Sequence, residues 1–174
     1  MRTSFTACKS GLRAACRRLV AAALLAGCAP SALAQDCWSR AGDRHGLDPL
    51  LLVAIAQVES AMNPRAFNRN RNGTYDIGLM QINSTHLPRL VKVGVTRQRL
   101  VDEPCTSIDT GAAILAGFVE RHGYTWNAVG AYNAGSAAKR APARKAYATR
   151  VWEVYRELTL DRAGSLALLA EWRR

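Results

Sequence analysis

Between Leu50 and Val58 the chain reads Leu-Leu-Leu-Val-Ala-Ile-Ala-Gln-Val, apolar at every position but Gln57. A helix that is apolar nearly all round has no face to offer water, so it must be enclosed by protein or by lipid. This run is far too short to cross a bilayer. It therefore predicts a buried central helix around which the rest of the domain has to wrap. Asp48 stands in front of it as an N-cap, with Pro49 at the first helical position, where the missing N–H would be unpaired in any case. The run ends on Glu59-Ser60.

What wraps it is also helical in pattern. Ser107 to His122 places Ile108, Leu115, Phe118 and Val119 on one face and stops at Gly123. Gly111 and Gly117 within it suggest close helix contact. Thr125 caps a short helix over Trp126–Ala134, ended by Gly135, and Pro142 opens a last amphipathic helix on which Tyr147, Val151, Tyr155 and Leu158 recur. Thr85 to Val93 reads as a short helix despite Pro88. Residues 61–76, rich in Asn, Arg and Gly, read as a loop or irregular hairpin. No run alternates as a strand should, and at most a small hairpin is expected near 73–83. Residues 161–174 form a tail in which a further helix around Leu166–Trp172 is the main pattern. The expected class is all-α, with at most a small α+β component, in one domain over 35–160.

The first 34 residues read as a signal peptide. Arg2, Lys9, Arg13, Arg17 and Arg18 form a positive stretch without acids. Leu19–Ala29 is a short apolar segment, and Ala32-Leu33-Ala34 supplies a small-x-small cleavage site before Gln35. A second processing route is also written there. Leu25-Ala26-Gly27-Cys28 resembles a lipobox, and lipidation of Cys28 would anchor the chain at a membrane without a spanning helix. Export to the periplasm is expected on either route. Cys8 and Cys16 leave with the leader, so Cys37 and Cys105 remain as an even pair, a natural disulfide in an oxidising compartment. Closing that long loop is worth ~3–4 kcal/mol.

Some 140 residues suffice for one core and not for two. A formal charge of +11 falls to +6 once the five leader cations are gone. A basic exported domain suits an anionic partner such as the cell wall with its peptide carboxylates, and the leader argues against nucleic acid. His45, His86 and His122 are scattered without ligand spacing, so neither a metal nor a cofactor is expected.

Glu59 is the residue that does not fit the helix it ends. If its carboxyl sits against the core, desolvation raises its pKa toward the value a general acid needs. If it is exposed or salt-bridged at the helix end, it carries no such meaning. Pattern alone leaves both readings open. Three local sequences in order decide: Glu59-Ser60, Gly78-Leu79-Met80-Gln81-Ile82-Asn83, and Ala131-Tyr132-Asn133-Ala134-Gly135. They resemble the three motifs of the lytic transglycosylase domain, a lysozyme-like helical fold, over roughly Cys37 to Leu158. With Asp36-Cys37 and Glu103-Pro104-Cys105, the chain is most similar to the specialised transglycosylases of type III and type IV secretion systems and pili.

That resemblance implies a peptidoglycan-cleaving enzyme and assigns expected roles. Glu59 would protonate the glycosidic oxygen between N-acetylmuramic acid and N-acetylglucosamine. The substrate's acetamido group would act as nucleophile, and Glu59 would then help close a 1,6-anhydro ring, a substrate-assisted exception to the two-carboxylate scheme. Ser60 would position carboxyl or sugar, and Gly78, Leu79, Met80, Gln81 and Asn83 would line the glycan groove. There Gly78 would let a sugar approach the backbone. Tyr132 would hydrogen-bond near Glu59, and Asn133 would support that wall. Bland readings stand beside these, with Leu79, Met80 and Ile82 as core, Tyr132 as a packed aromatic and Ser60 as a helix-end hydroxyl. Asp76 is double-edged. Asp76–Ser84 also resembles animal-type lysozymes, with Asn68 and Asn70 fitting that comparison, so Asp76 could be a second catalytic carboxylate or could serve the turn before Gly78. The alternatives are therefore a hydrolytic muramidase using Glu59 and Asp76, and a non-catalytic wall-binding adaptor of a secretion or pilus assembly.

Overall fold

Asp48 has extended backbone and its Oδ1 accepts the Leu50 N–H at 2.8 Å, which starts the central helix where the sequence placed it. The structure, a computed structural model, describes the backbone of residues 29–171 and the side-chain surroundings of 37–163. The leader's basic stretch and Cys28 lie outside the described residues. In chain order the elements are α1 (Ala29–His45), α2 (Pro49–Ser60), β1 (Phe67–Arg69), β2 (Tyr75–Ile77), β3 (Ile82–Asn83), α3 (Leu87–Val91), α4 (Arg97–Asp102), α5 (Pro104–His122), α6 (Trp126–Ala134) and α7 (Ala141–Glu171). Short 3₁₀ turns at Ser84–His86 and Ala138–Arg140 precede α3 and α7.

Helix α2 is the enclosed element its sequence demands. Leu52, Ala54, Ile55 and Ala56 have no exposed surface. α7 packs along α2 and α6, and α6 packs on α5. Gly130 makes the α6–α7 approach possible, because a Cβ there would meet the Arg144 carbonyl oxygen at 2.4 Å. Tyr155 on α7 donates to Asp48 Oδ2 at 2.6 Å, fastening the far helix to the cap of the central one.

Several expectations needed revision. The polar stretch after α2 forms a three-stranded antiparallel sheet in the order β1-β2-β3, larger than the small hairpin expected. Its strands are three, three and two residues long, too short to show alternation in sequence. α4 was not anticipated, although Thr96 marks its start by accepting the Arg99 N–H. α5 begins at Pro104, three residues earlier than Ser107. α7 is one helix running through what was read as a tail. Gly111 does mark a close approach, but to the Met80 side chain, 2.8 Å from where a Cβ would stand. Gly117 marks none, since a Cβ there would meet only the Arg121 tip at 3.8 Å.

Cys37 and Cys105 are joined, linking α1 to α5 across 68 residues of sequence. Arg44 and Asp109 pair at 2.8 Å between the same two helices. Removing the cross-link by Cys105→Ser is expected to lower unfolding free energy by about 4 kcal/mol, the loop-entropy value for this span. Denaturant titrations of variant and oxidised wild type measure it, and identical midpoints would refute it.

Candidate active site

The end of α2 is built to hold one carboxyl in a fixed place. Ala61 and Met62 both take left-handed backbone, with φ of 50° and 64°. Their N–H groups cap the Gln57 and Ala56 carbonyls. Such non-glycine conformations cost ~1–2 kcal/mol per residue, and they turn the chain sharply just beyond Glu59. Ser60 Oγ donates to the Ala56 carbonyl at 3.1 Å and to the Leu79 carbonyl at 2.7 Å. Its work is thus to clamp the helix end onto the segment following β2, and not to touch the carboxyl itself.

That segment is held from behind. Gly78 has φ +73°, and a Cβ there would meet the Leu100 carbonyl oxygen at 2.4 Å. Close protein backbone by itself already requires the glycine here. Leu79 and Met80 are buried core residues. The Met80 N–H donates to Ser107 Oγ at 3.2 Å. Gln81 also has left-handed backbone, and its amide donates to the Gly78 and Ala66 carbonyls at 2.9 and 3.2 Å.

In front of this wall lies an open cleft of about 480 Å³, within the usual range of ligand sites, ~300–1,000 Å³. Of the expected residues, Glu59, Asp76, Gln81, Asn83, Tyr132 and Asn133 line it together. Ser60, Gly78, Leu79 and Met80 stand behind them. Asn70 also faces the cleft, whereas the exposed Asn68 is not among its lining residues.

Glu59 has a raised pKa. Burial is the largest cause, and the nearby Asp76 charge adds to it, while hydrogen bonds from Tyr147 and Asn133 and the Arg150 charge oppose it. Glu59 is half-buried, and the desolvated reading of its carboxyl fits this surrounding better than the exposed one. Its principal partner is Tyr147, whose hydroxyl donates to Oε1 at 2.6 Å. Burial, and then the neighbouring Glu59, push the Tyr147 phenol well above its ordinary value, so it remains a donor. Arg150 lies 5.5 Å from the centre of the Tyr147 ring. Tyr132 sits nearby, but its hydroxyl donates to the Met80 carbonyl at 2.8 Å, tying α6 to the wall.

Asp76 is fixed on the middle strand, paired in register with Asn68 and Asn83. Asn83 donates to one of its oxygens at 2.7 Å and Asn70 to the other at 2.9 Å. Sequence reasoning placed Tyr147 on the inner face of its helix only as core. A fully buried tyrosine needs a partner for its hydroxyl, and that was the available signal for its place in the site.

A half-buried acid at the end of a central helix, with a small sheet forming one side of an open polar cleft, defines a lysozyme-like glycan-cleaving enzyme. Over 123 residues the chain is 50% identical to invasion protein IagB of Salmonella typhimurium, covering 71% of this chain and 77% of IagB. Over 126 residues it is 40% identical to protein IpgF of Shigella flexneri, covering 72% of this chain and 83% of IpgF. The solved structure of an inactive mutant of the lytic transglycosylase Slt from Pseudomonas aeruginosa shares the fold. Its TM-score is 0.56 at 23% identity, covering 69% of this chain and 23% of that one. The transglycosylase SLT domain model matches residues 36–155, and the chain belongs to that family. It is a peptidoglycan lytic transglycosylase, acting where peptidoglycan lies, in the periplasm.

Proposed function

We propose that Glu59 is the only protein group that moves protons in the reaction. Its carboxyl donates a proton to the glycosidic oxygen as the C1–O bond of N-acetylmuramic acid breaks. The acetamido carbonyl oxygen of the same sugar bonds to C1 and forms an oxazolinium. The Glu59 carboxylate then takes the proton of the 6-hydroxyl, O6 attacks C1, and the acetamido oxygen leaves as the 1,6-anhydro ring closes. No water is consumed. The observation that carries this reading is a half-buried Glu59 with raised pKa, held by a neutral phenol and facing a cleft.

Asp76 acts as a fixed anion. Two amide donors immobilise its carboxylate, and its charge favours the protonated form of Glu59. Asp76→Asn is therefore expected to keep substantial activity and to yield products with 1,6-anhydro ends. Its activity should fall off at lower pH than in the wild type, because the pKa of Glu59 drops. Mass spectrometry of digested sacculi reads the product directly, since anhydro ends are one water lighter. Hydrated reducing ends from the wild type would overturn the mechanism in favour of hydrolysis through both carboxylates.

Local opening of the wall for a secretion or pilus apparatus is the biological role proposed. Support comes from the likeness to a protein named invasion protein and from the cysteine contexts of the specialised transglycosylases. Export by the N-terminal leader, with cleavage after Ala34 or lipidation at Cys28, belongs to the same proposal. Loss of surface export in a deletion strain, restored by wild type and not by Glu59→Gln, would test it.

A further inference from the structure

The cleft carries two cations that glycan cleavage as described above does not use. Arg71 and Arg140 both line it, and both are exposed. Neither guanidinium takes part in a hydrogen bond or ion pair among the described residues. By contrast, Arg99 pairs with Glu103 and Arg150 lies over the Tyr147 ring. The anions of the cleft are also spoken for. Tyr147 donates to Glu59, and neutral amides hold Asp76.

Both arginines spring from backbone that is held in place. Arg71 lies in the turn between β1 and β2, closed by a Gly73 N–H to Asn70 carbonyl bond of 3.1 Å. A Thr74 N–H to Asn72 Oδ1 bond of 3.1 Å secures the same turn. The Asn70 amide ties it to Thr74 at 3.0 Å and to Asp76 at 2.9 Å. Arg140 ends the 3₁₀ turn after α6. There the buried Arg144 guanidinium donates to the Gly135 carbonyl at 3.2 Å and to the Ala137 carbonyl at 2.8 Å. Two presented, unpaired guanidiniums in a substrate cleft call for an anionic substrate. His86, also in the cleft, is kept neutral at neutral pH by burial and by Arg89, so it adds no charge there.

The sugar backbone of peptidoglycan offers no anion at the ring hydroxyls or acetamido groups. Its carboxylates lie on the peptide stems, or on the lactyl group once a stem has been removed. We propose that Arg71 and Arg140 bind carboxylates of the peptide stems, so that the enzyme favours stem-bearing over stripped glycan. Guanidiniums from two separate chain segments suit carboxylates spread along a stem better than a single lactyl group. The inference rests on the reading of this cleft as the peptidoglycan site.

The test uses three soluble tetrasaccharides: one with acidic stems, one whose stem carboxylates are amidated, and one stripped to free lactyl groups. Wild-type kcat/KM for the acidic-stem substrate should exceed that for the amidated one by roughly tenfold, a few-fold for each charge-assisted contact. The ratio should shrink as salt is raised. In the R71Q/R140Q double variant it should fall to about one, each variant serving as its own control for folding because only a ratio is read. A ratio near one in the wild type, an undiminished ratio in the double variant, or equal preference for the stripped glycan would overturn the proposal. Affinities of the same three ligands for Glu59→Gln, with and without the arginine changes, provide a readout that needs no turnover. Failure to cleave any substrate would thus count against the catalytic reading while binding still decides this one.

Discussion

Glu59→Gln should reduce lysis of isolated sacculi by at least ~10²–10⁴-fold, the usual contribution of a positioned acid/base, while leaving the fold intact. The amide fits the same space, and its oxygen can still accept from Tyr147, but it has no proton to give. Stability supplies a second signature. The folded-state pKa of Glu59 lies above the ordinary 4.5. Between that value and the raised one the folded protein holds a proton that the unfolded chain has released, so wild-type stability declines as pH rises through this window. A glutamine carries no such dependence. The melting temperature of the variant relative to wild type should therefore climb from acid toward neutral pH. A flat difference across the range would mean that Glu59 is not desolvated in the folded protein. Undiminished lysis would remove it from the chemistry altogether.

The parts of this protein legible in its sequence are those where a single local pattern permits one structure. The apolar Leu50–Val58 run could only be enclosed, Asp48-Pro49 could only begin it, and Thr125 and Gly135 bracket a nine-residue helix without ambiguity. The sheet was less visible because its strands are held by side-chain amides and by turns at Gly73 and Gly78, not by an alternating apolar face. Within the site, motif resemblance pointed both to residues that line the cleft and to residues that stand behind them. Ser60 and Gly78 shape the wall, one by clamping Leu79 and the other by yielding to the Leu100 carbonyl. Gln81, Asn83, Tyr132 and Asn133 line the cleft in front of them. Tyr147 was missed as a site residue because 88 residues separate it from Glu59 and its helix gives it an ordinary core position.

Tyr147→Phe should lower kcat by roughly 10–100-fold, the loss of one hydrogen bond to a charged partner at ~1.5–3 kcal/mol. The ring remains to fill its buried site, so packing is kept and only the 2.6 Å bond to Oε1 goes. That bond opposes the effect of burial on Glu59. Without it the acid should hold its proton to still higher pH, and the alkaline limb of kcat/KM should move upward. Asp76→Asn moves the same limb downward, since it removes an anion that favours the protonated form. Opposite displacements from two residues on different elements would identify the limb as Glu59 itself. Tyr132→Phe separates this from general loosening of the cleft. Its hydroxyl bonds the Met80 carbonyl and not the acid, so activity can fall there while the limb stays in place. A Tyr147→Phe enzyme with a wild-type pH profile would show that the phenol merely packs, and that some other group sets the proton affinity of Glu59.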